Sequence, residues 1–352
     1  MNVPEVFVAG LHLRWDGVWQ RPHHLLTRLA QKMPVIVIEE PHGAAIDRDE
    51  VRHEGRLTVI RPQRRRGWGE PFVDAQALAT ARALAGPRRC GAWLYTPMMS
   101  ELIDAFAASP AVYDAMDDLA SFDFAPRGMR EREAALLERA DVVFAGGHTL
   151  YDSRRAYGAK VHCHPSGVEL VRFAADVGPH PLAAMLSAPV LAYVGVIDER
   201  LDYELIAALA DAFPGGHIIL AGPVVKVDPV RLPQRPNVHY TGRLAYSALP
   251  SLLAGVDVAL MPFAINRATA SISPTKTLEY FAARRPVVST PIADVVAAYG
   301  DIAYIAAGAG AFVAAVHEAR NAPAERIDRG VAAAADQTWD AIFARMWREL
   351  FP

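Results

Sequence analysis

Near the end of the chain, Thr275, Lys276 and Glu279 are spaced to share one face of a helix. They belong to the stretch Ser271-Ile-Ser-Pro-Thr-Lys-Thr-Leu-Glu279, which reads as a loop opening a helix, with the apolar run Val287–Ser289 beyond it. Ser273 suits the N-cap, and Pro274 suits the first helical position, where a missing N–H costs nothing. The free N–H groups of Thr275, Lys276 and Thr277 then favour an anion, most naturally a phosphate. Lys276 supplies a point charge for it, and Glu279 can accept two hydrogen bonds from a vicinal diol such as a ribose. The alternative is a capped helix with a Lys–Glu surface pair, worth roughly a few tenths of a kcal/mol.

Further polar groups crowd two stretches of the first half. Trp15, Asp16, Trp19, Gln20, Arg21 and His23 lie between the first apolar run and a helix, and Pro22 takes a first-turn position there. Asp114, Asp117 and Asp118 fall at the end of another run, where an acid can act as general base, orient a hydroxyl or cap the next segment. No His or further carboxylate at ligand spacing supports a metal site beside them. His162-Cys-His164 puts two imidazoles on one side of a strand, which suits zinc or a purely structural pair. Gly195, Gly222 and Gly242 end apolar runs where backbone must pass close to something, and Arg243 is a second phosphate cation or a solvated arginine. The one basic cluster, with Arg61, Arg64, Arg65, Arg66 and Trp68, reads as a solvated loop or as a dock for an anionic membrane or a lipid pyrophosphate.

These groups need a scaffold. Short apolar runs alternate with amphipathic segments along most of the 352 residues, the rhythm of β-strands joined by helical crossovers in parallel sheets. Two such series flank the stretch Asp176–Pro189, so the expectation is two Rossmann-like α/β domains sharing a ligand cleft. Trp339, Ile342, Phe343, Met346, Trp347 and Leu350 make one wide apolar stripe on a final helix. No GxGxxG is present, and Gly308-Ala-Gly310 lacks the third glycine, which disfavours a dinucleotide oxidoreductase. A net charge of −3 argues against a nucleic-acid partner. Cys90 and Cys163 form neither a CxxC nor a disulfide framework, and no secretory or membrane-spanning run is visible. A cytoplasmic chain is expected, with any contact to the inner membrane face peripheral.

Several motifs then carry a resemblance. Ala140-Asp-Val-Val-Phe144, His164-Pro-Ser-Gly-Val-Glu169 with Phe173, Val256-Asp-Val-Ala-Leu-Met-Pro262, Lys276-Thr-Leu-Glu-Tyr-Phe-Ala282 and Pro286-Val-Val-Ser289 together span nearly the whole chain. The pattern resembles the GT-B glycosyltransferases, in particular the family-4-like bacterial group that builds exopolysaccharides and cell-wall polymers. Trp19-Gln-Arg-Pro-His23 and Tyr113-Asp114 with Asp117-Asp118 look like a polysaccharide-assembly subgroup.

The resemblance implies an acceptor domain over residues 1–175, a nucleotide-sugar donor domain over 186–335, and a crossover helix over 336–352 that returns to the first domain. It implies transfer of a sugar from a UDP- or GDP-linked donor to a glycan or lipid-linked acceptor, without a bound metal or other cofactor. By position, Gly195, Arg243, Thr275, Lys276, Thr277 and Glu279 would bind the donor, and Trp19, Gln20, Arg21 and His23 the acceptor. Asp117, then Asp118, would serve as base in an inverting reaction. The chain also departs from the family. Ser271 stands where the first Glu of an E-x7-E pair is usual, Glu169 where Asp is usual, and Arg284-Arg285 where a Gly precedes Pro-Val-Val. After the first strand of the second half, Asp198–Asp202 offers only Arg200 in place of an Arg/Lys pair. A non-catalytic nucleotide- or glycan-binding protein, or a sugar-nucleotide epimerase on the same scaffold, are the alternatives.

Overall fold

The computed structural model describes residues 2–123, 125–158, 160–225 and 227–352. The chain divides into two compact units, Met1–Pro165 with Asp340–Pro352, and Ser166–Trp339. The division falls at Pro165, earlier than residue 175, because Val168 already pairs with Thr338 and Phe173 packs on Tyr246 within the second unit.

In unit 1 the strands are β1 (Val6–Leu11), β2 (Val35–Glu39), β3 (His42–Gly43), β4 (Arg48–Glu54), β5 (Leu57–Arg64), β6 (Cys90–Leu94), β7 (Ala111–Ala115), β8 (Val142–Ala145) and β9 (Val161–Cys163). They run in the order β3-β5-β2-β1-β6-β7-β8-β9, parallel throughout. β4 adds antiparallel to β5. The central strands are buried along their whole length, as a sheet covered on both faces requires. β4 has no counterpart in the sequence reading. Its residues, Arg-Asp-Glu-Val-Arg-His-Glu, are half-buried or exposed, so no apolar alternation marks them. The helix Trp339–Leu350 buries Trp339, Ile342, Phe343, Met346 and Leu350. It is tied to the helix Arg21–Lys32 by an Arg28–Asp340 ion pair and by Lys32 lying over the Trp347 ring.

Unit 2 holds β10 (Val190–Val194), β11 (His217–Ala221), β12 (Val238–Gly242), β13 (Val258–Met261), β14 (Val287–Ser289) and β15 (Tyr304–Ile305). Their order, β12-β11-β10-β13-β14-β15, is that of a doubly wound dinucleotide-type sheet. The order reverses between β10 and β13, and loops leaving adjacent strands in opposite directions open a crevice there at the carboxyl edge. Among the described residues no helix is long and apolar enough to cross a membrane.

Candidate functional site

The carboxyl edge of the unit 2 sheet is built close to backbone. Gly195 follows β10 with φ 149°, a region that favours glycine. A Cβ on Gly222, just beyond β11, would fall 1.8 Å from the Gly195 carbonyl oxygen, so only glycine fits there. Gly222 in turn pairs with Gly242, the last residue of β12. Three neighbouring strands, β10 to β12, thus end in side-chain-free backbone, and β10 borders the crevice.

The helix Lys276–Ala282 follows β13, the strand beside β10 at that crevice. The expected Ser273 cap is not formed. Thr275 occupies the cap position without a capping side chain, and the first turn closes through Thr277 N–H to Pro274 O (3.3 Å) and Leu278 N–H to Thr275 O (3.2 Å). Tyr280, buried on this helix, accepts the Val194 N–H at 2.8 Å and locks the helix to the end of β10. Lys276 is thereby carried to Gly195: its Cε lies 3.1 Å from where a Gly195 Cβ would be.

Glu279, one turn on, accepts a hydrogen bond from Tyr246 Oη at 3.3 Å. Burial pushes its carboxyl up to about 7, the nearby Lys276 ammonium and the Tyr246 bond working against that rise and the Glu169 carboxylate adding to it. Arg172 lies over the Tyr246 ring at 5.2 Å. Tyr246, Glu169 and Arg172 were not singled out as ligands from the sequence, because nothing in their local spacing ties them to Glu279.

Not every expected donor residue joins this group. Thr277 is buried with its hydroxyl on the Met261 sulfur at 3.2 Å, so it anchors the helix to β13 and presents no side chain to a ligand. Thr275 is half-buried at the helix start. Arg243 is exposed beyond the edge strand β12, two strands from β10. Arg200 is engaged by Asp198 in a two-pronged ion pair, at 2.7 to 3.1 Å.

In unit 1 the loop after β1 folds on its own aromatic rings. The imidazole of His23 stacks on Trp19 (4.8 Å, 28°) and lies against Trp15 (4.8 Å, 32°). Its Nδ1 accepts the Gln20 N–H at 3.0 Å and its Nε2 is 3.0 Å from the Trp15 carbonyl oxygen, so both ring nitrogens are used and burial holds its pKa down. Arg21, 1% exposed, donates to Asp114 at 2.9 Å and to the His164 carbonyl at 2.7 Å. Arg21 and His23, expected to meet an acceptor, are therefore interior braces. Trp19 and Gln20 remain half-buried at the surface of the loop.

The three acids after β7 separate by role. Asp114 is fully buried against Arg21. Asp118 accepts the Ser121 hydroxyl and lies 3.8 Å from Arg154, so it closes a turn. Asp117, between them, is half-buried. His162 and His164 both turn to Glu349 on the final helix, at 3.5 and 2.5 Å, which makes the pair a structural latch. Among the described residues no group of three or more His, Cys, Asp or Glu could hold a metal ion.

The basic cluster is a strand end and its turn. Arg64, 4% exposed, is paired with Asp49 (2.7 Å) and Asp74, and Arg61 with Glu39 (2.8 Å) and Asp16 (2.9 Å). These two expected membrane contacts are corrected: their charge is matched inside the unit. Arg65, facing Asp47, Arg66, donating to the Gly69 carbonyl at 2.6 Å, and Trp68 remain exposed.

Residues 188–321 match the family of glycosyl transferases group 1. A putative teichuronic acid biosynthesis glycosyltransferase, TuaH of Bacillus subtilis (strain 168), is 26% identical over 238 residues, 62% of this chain and 59% of that protein. Sucrose-phosphate synthase from Thermosynechococcus elongatus superposes with a TM-score of 0.73 at 14% identity, covering 99% of each chain. HepE of Anabaena, in complex with UDP and glucose, gives 0.71 at 13% identity over 98% of this chain and 99% of its own.

Proposed function

We propose, from the premise that this chain has the GT-B glycosyltransferase fold with a group 1 transferase domain in its second unit, that it transfers a sugar from a nucleoside diphosphate sugar to a glycan of the cell envelope. The observation that supports this reading is the approach of Lys276 to Gly195 at the end of β10, where the strand order of unit 2 reverses, with Glu279 one helical turn on. In this reading the diphosphate lies against the glycine edge with Lys276 as its cation, and Glu279 takes the ribose diol. As the sugar–oxygen bond breaks, charge accumulates on the departing diphosphate, and a cation already in place lowers that barrier. UDP is the favoured donor base, because the HepE structure holds UDP and glucose. A cell-envelope acceptor follows from the likeness to the putative teichuronic acid enzyme.

The test is a thermal-shift panel of UDP, GDP, dTDP and ADP. A nucleotide at a hundred times its Kd adds about 2.7 kcal/mol of stability. A shift with UDP alone supports the reading; no shift with any of the four overturns it. An acceptor would be met by Trp19 and Gln20, half-buried at the surface of their loop, with Asp117 as the base, since Asp114 is buried on Arg21 and Asp118 accepts the Ser121 hydroxyl. Asp117→Asn should leave UDP affinity unchanged and slow transfer by about 10²–10⁴; transfer at the full rate would remove Asp117 from the chemistry.

The position of Glu279 gives a pH signature. With its carboxyl at about 7, its ionised fraction rises from about one tenth at pH 6 to nine tenths at pH 8. The carboxylate is the form that accepts two diol hydrogen bonds, so affinity for a UDP-sugar should rise up to about tenfold across that window. Calorimetry on Glu279→Gln should show weaker binding with a flat profile, and a wild-type profile without slope would refute the assignment. In the unliganded protein the sign is opposite. A raised folded pKa means the folded state binds the extra proton, so this group's contribution to stability falls as pH climbs from about 4.5 to 7.

A further inference from the structure

The surroundings of Lys276 are aromatic. Its Nζ lies 5.5 Å from the ring centroid of Tyr193 and 5.2 Å from that of Phe263. The two rings meet edge to face, 6.0 Å apart at 87°, and the residues are 1% and 2% exposed. Each ring is fixed in turn. Tyr193 Oη donates to the Val196 carbonyl at 2.9 Å. Phe263 pairs with Leu201, and its neighbours Pro262 and Ala264 bond the backbone of Asp202 and Arg200, each at 2.9 Å. Gly195 leaves the space that the assembly needs, since a Cβ there would lie 2.8 Å from Tyr193 Oη.

We propose that Tyr193 and Phe263 form an aromatic seat that holds the Lys276 ammonium at the carboxyl end of β10, ready for the diphosphate of a nucleotide; this rests on the donor-site reading above. They are positioning residues. Lys276 and Glu279 stand one turn apart on the same helix, and a flexible lysine would swing towards that carboxylate. Such pairing would cancel the charge that the phosphate needs and cover the group that takes the diol. Ring quadrupoles attract the ammonium yet leave its charge intact. Glu279 is meanwhile engaged by Tyr246. Lysine is otherwise scarce in this chain, with only four among its 36 Lys and Arg residues.

That scarcity makes the seat measurable in the intact, nucleotide-free protein. With ¹³Cε-labelled lysine only four side-chain signals arise, and the one missing from Lys276→Arg is that of Lys276. It should be ring-shifted upfield and should move back in Phe263→Leu, while Lys32, over Trp347, stays put. A Lys276 signal in the unshifted range overturns the seat. In calorimetry, Phe263→Leu should weaken UDP by about 3- to 30-fold and leave uridine, which has no phosphates, unaffected. Tyr193→Phe keeps the ring and should bind UDP like the wild type. Unchanged UDP affinity in Phe263→Leu, or an equal loss for UDP and uridine, overturns the positioning role. Failure of the donor-site reading looks different: wild-type protein then binds no nucleoside diphosphate although its Lys276 signal is ring-shifted.

Discussion

Replacing Lys276 with alanine is expected to lower kcat/KM for the sugar donor by about 10²–10³, the usual consequence of removing one preorganised donor from a developing anion. The reason is geometric. The helix bearing Lys276 is locked to β10 through Tyr280 and Val194, so the ammonium stands beside Gly195 before any ligand arrives. No reorganisation is then needed as charge moves onto the leaving diphosphate, and the loss should appear mainly in kcat. Steady-state kinetics separate this from a simple binding defect, which would raise KM alone. Lys276→Arg should recover only part of the rate. A Lys276→Ala enzyme within threefold of wild type would remove this residue from the mechanism.

Asp114→Ala should reduce the stability of unit 1 by about 3–5 kcal/mol, because it strands the Arg21 guanidinium in the interior. For a body of this size that is a Tm lower by roughly 6–20 °C in a thermal melt. Arg21 joins three elements: Asp114 on β7, the His164 carbonyl beyond β9, and the sulfur of Met346 on the final helix at 3.9 Å. The pair is also costly to bury, and burial raises the Asp114 carboxyl despite its cation. The double variant Arg21→Met with Asp114→Leu should therefore be much more stable than Asp114→Ala, since neither charge is left alone. A single-variant loss below about 1 kcal/mol would show that water reaches the pair.

The alternation of apolar runs and amphipathic segments was enough to place both parallel sheets, because a strand buried on both faces must be apolar throughout. The spacing of Lys276 and Glu279 was legible for a similar reason, as helical periodicity is local and leaves its mark in sequence. What the local pattern left open was the use made of each polar group. Arg21, His23, Arg61 and Arg64 carry ligand-binding chemistry in their side chains, yet partners that helical or strand spacing does not mark claim them: Asp114, the Trp15 carbonyl, Glu39 and Asp49. Conversely, nothing in the local pattern marks Tyr246 or Tyr193 until the fold sets one on Glu279 and the other beside Lys276. Periodicity thus determined most of the buried strands and helices of this protein, though not the polar β4 or the order of strands within each sheet. Which cation comes to the carboxyl edge of unit 2 was decided only by tertiary structure, because burial and pairing are properties of neighbours that the chain meets on folding.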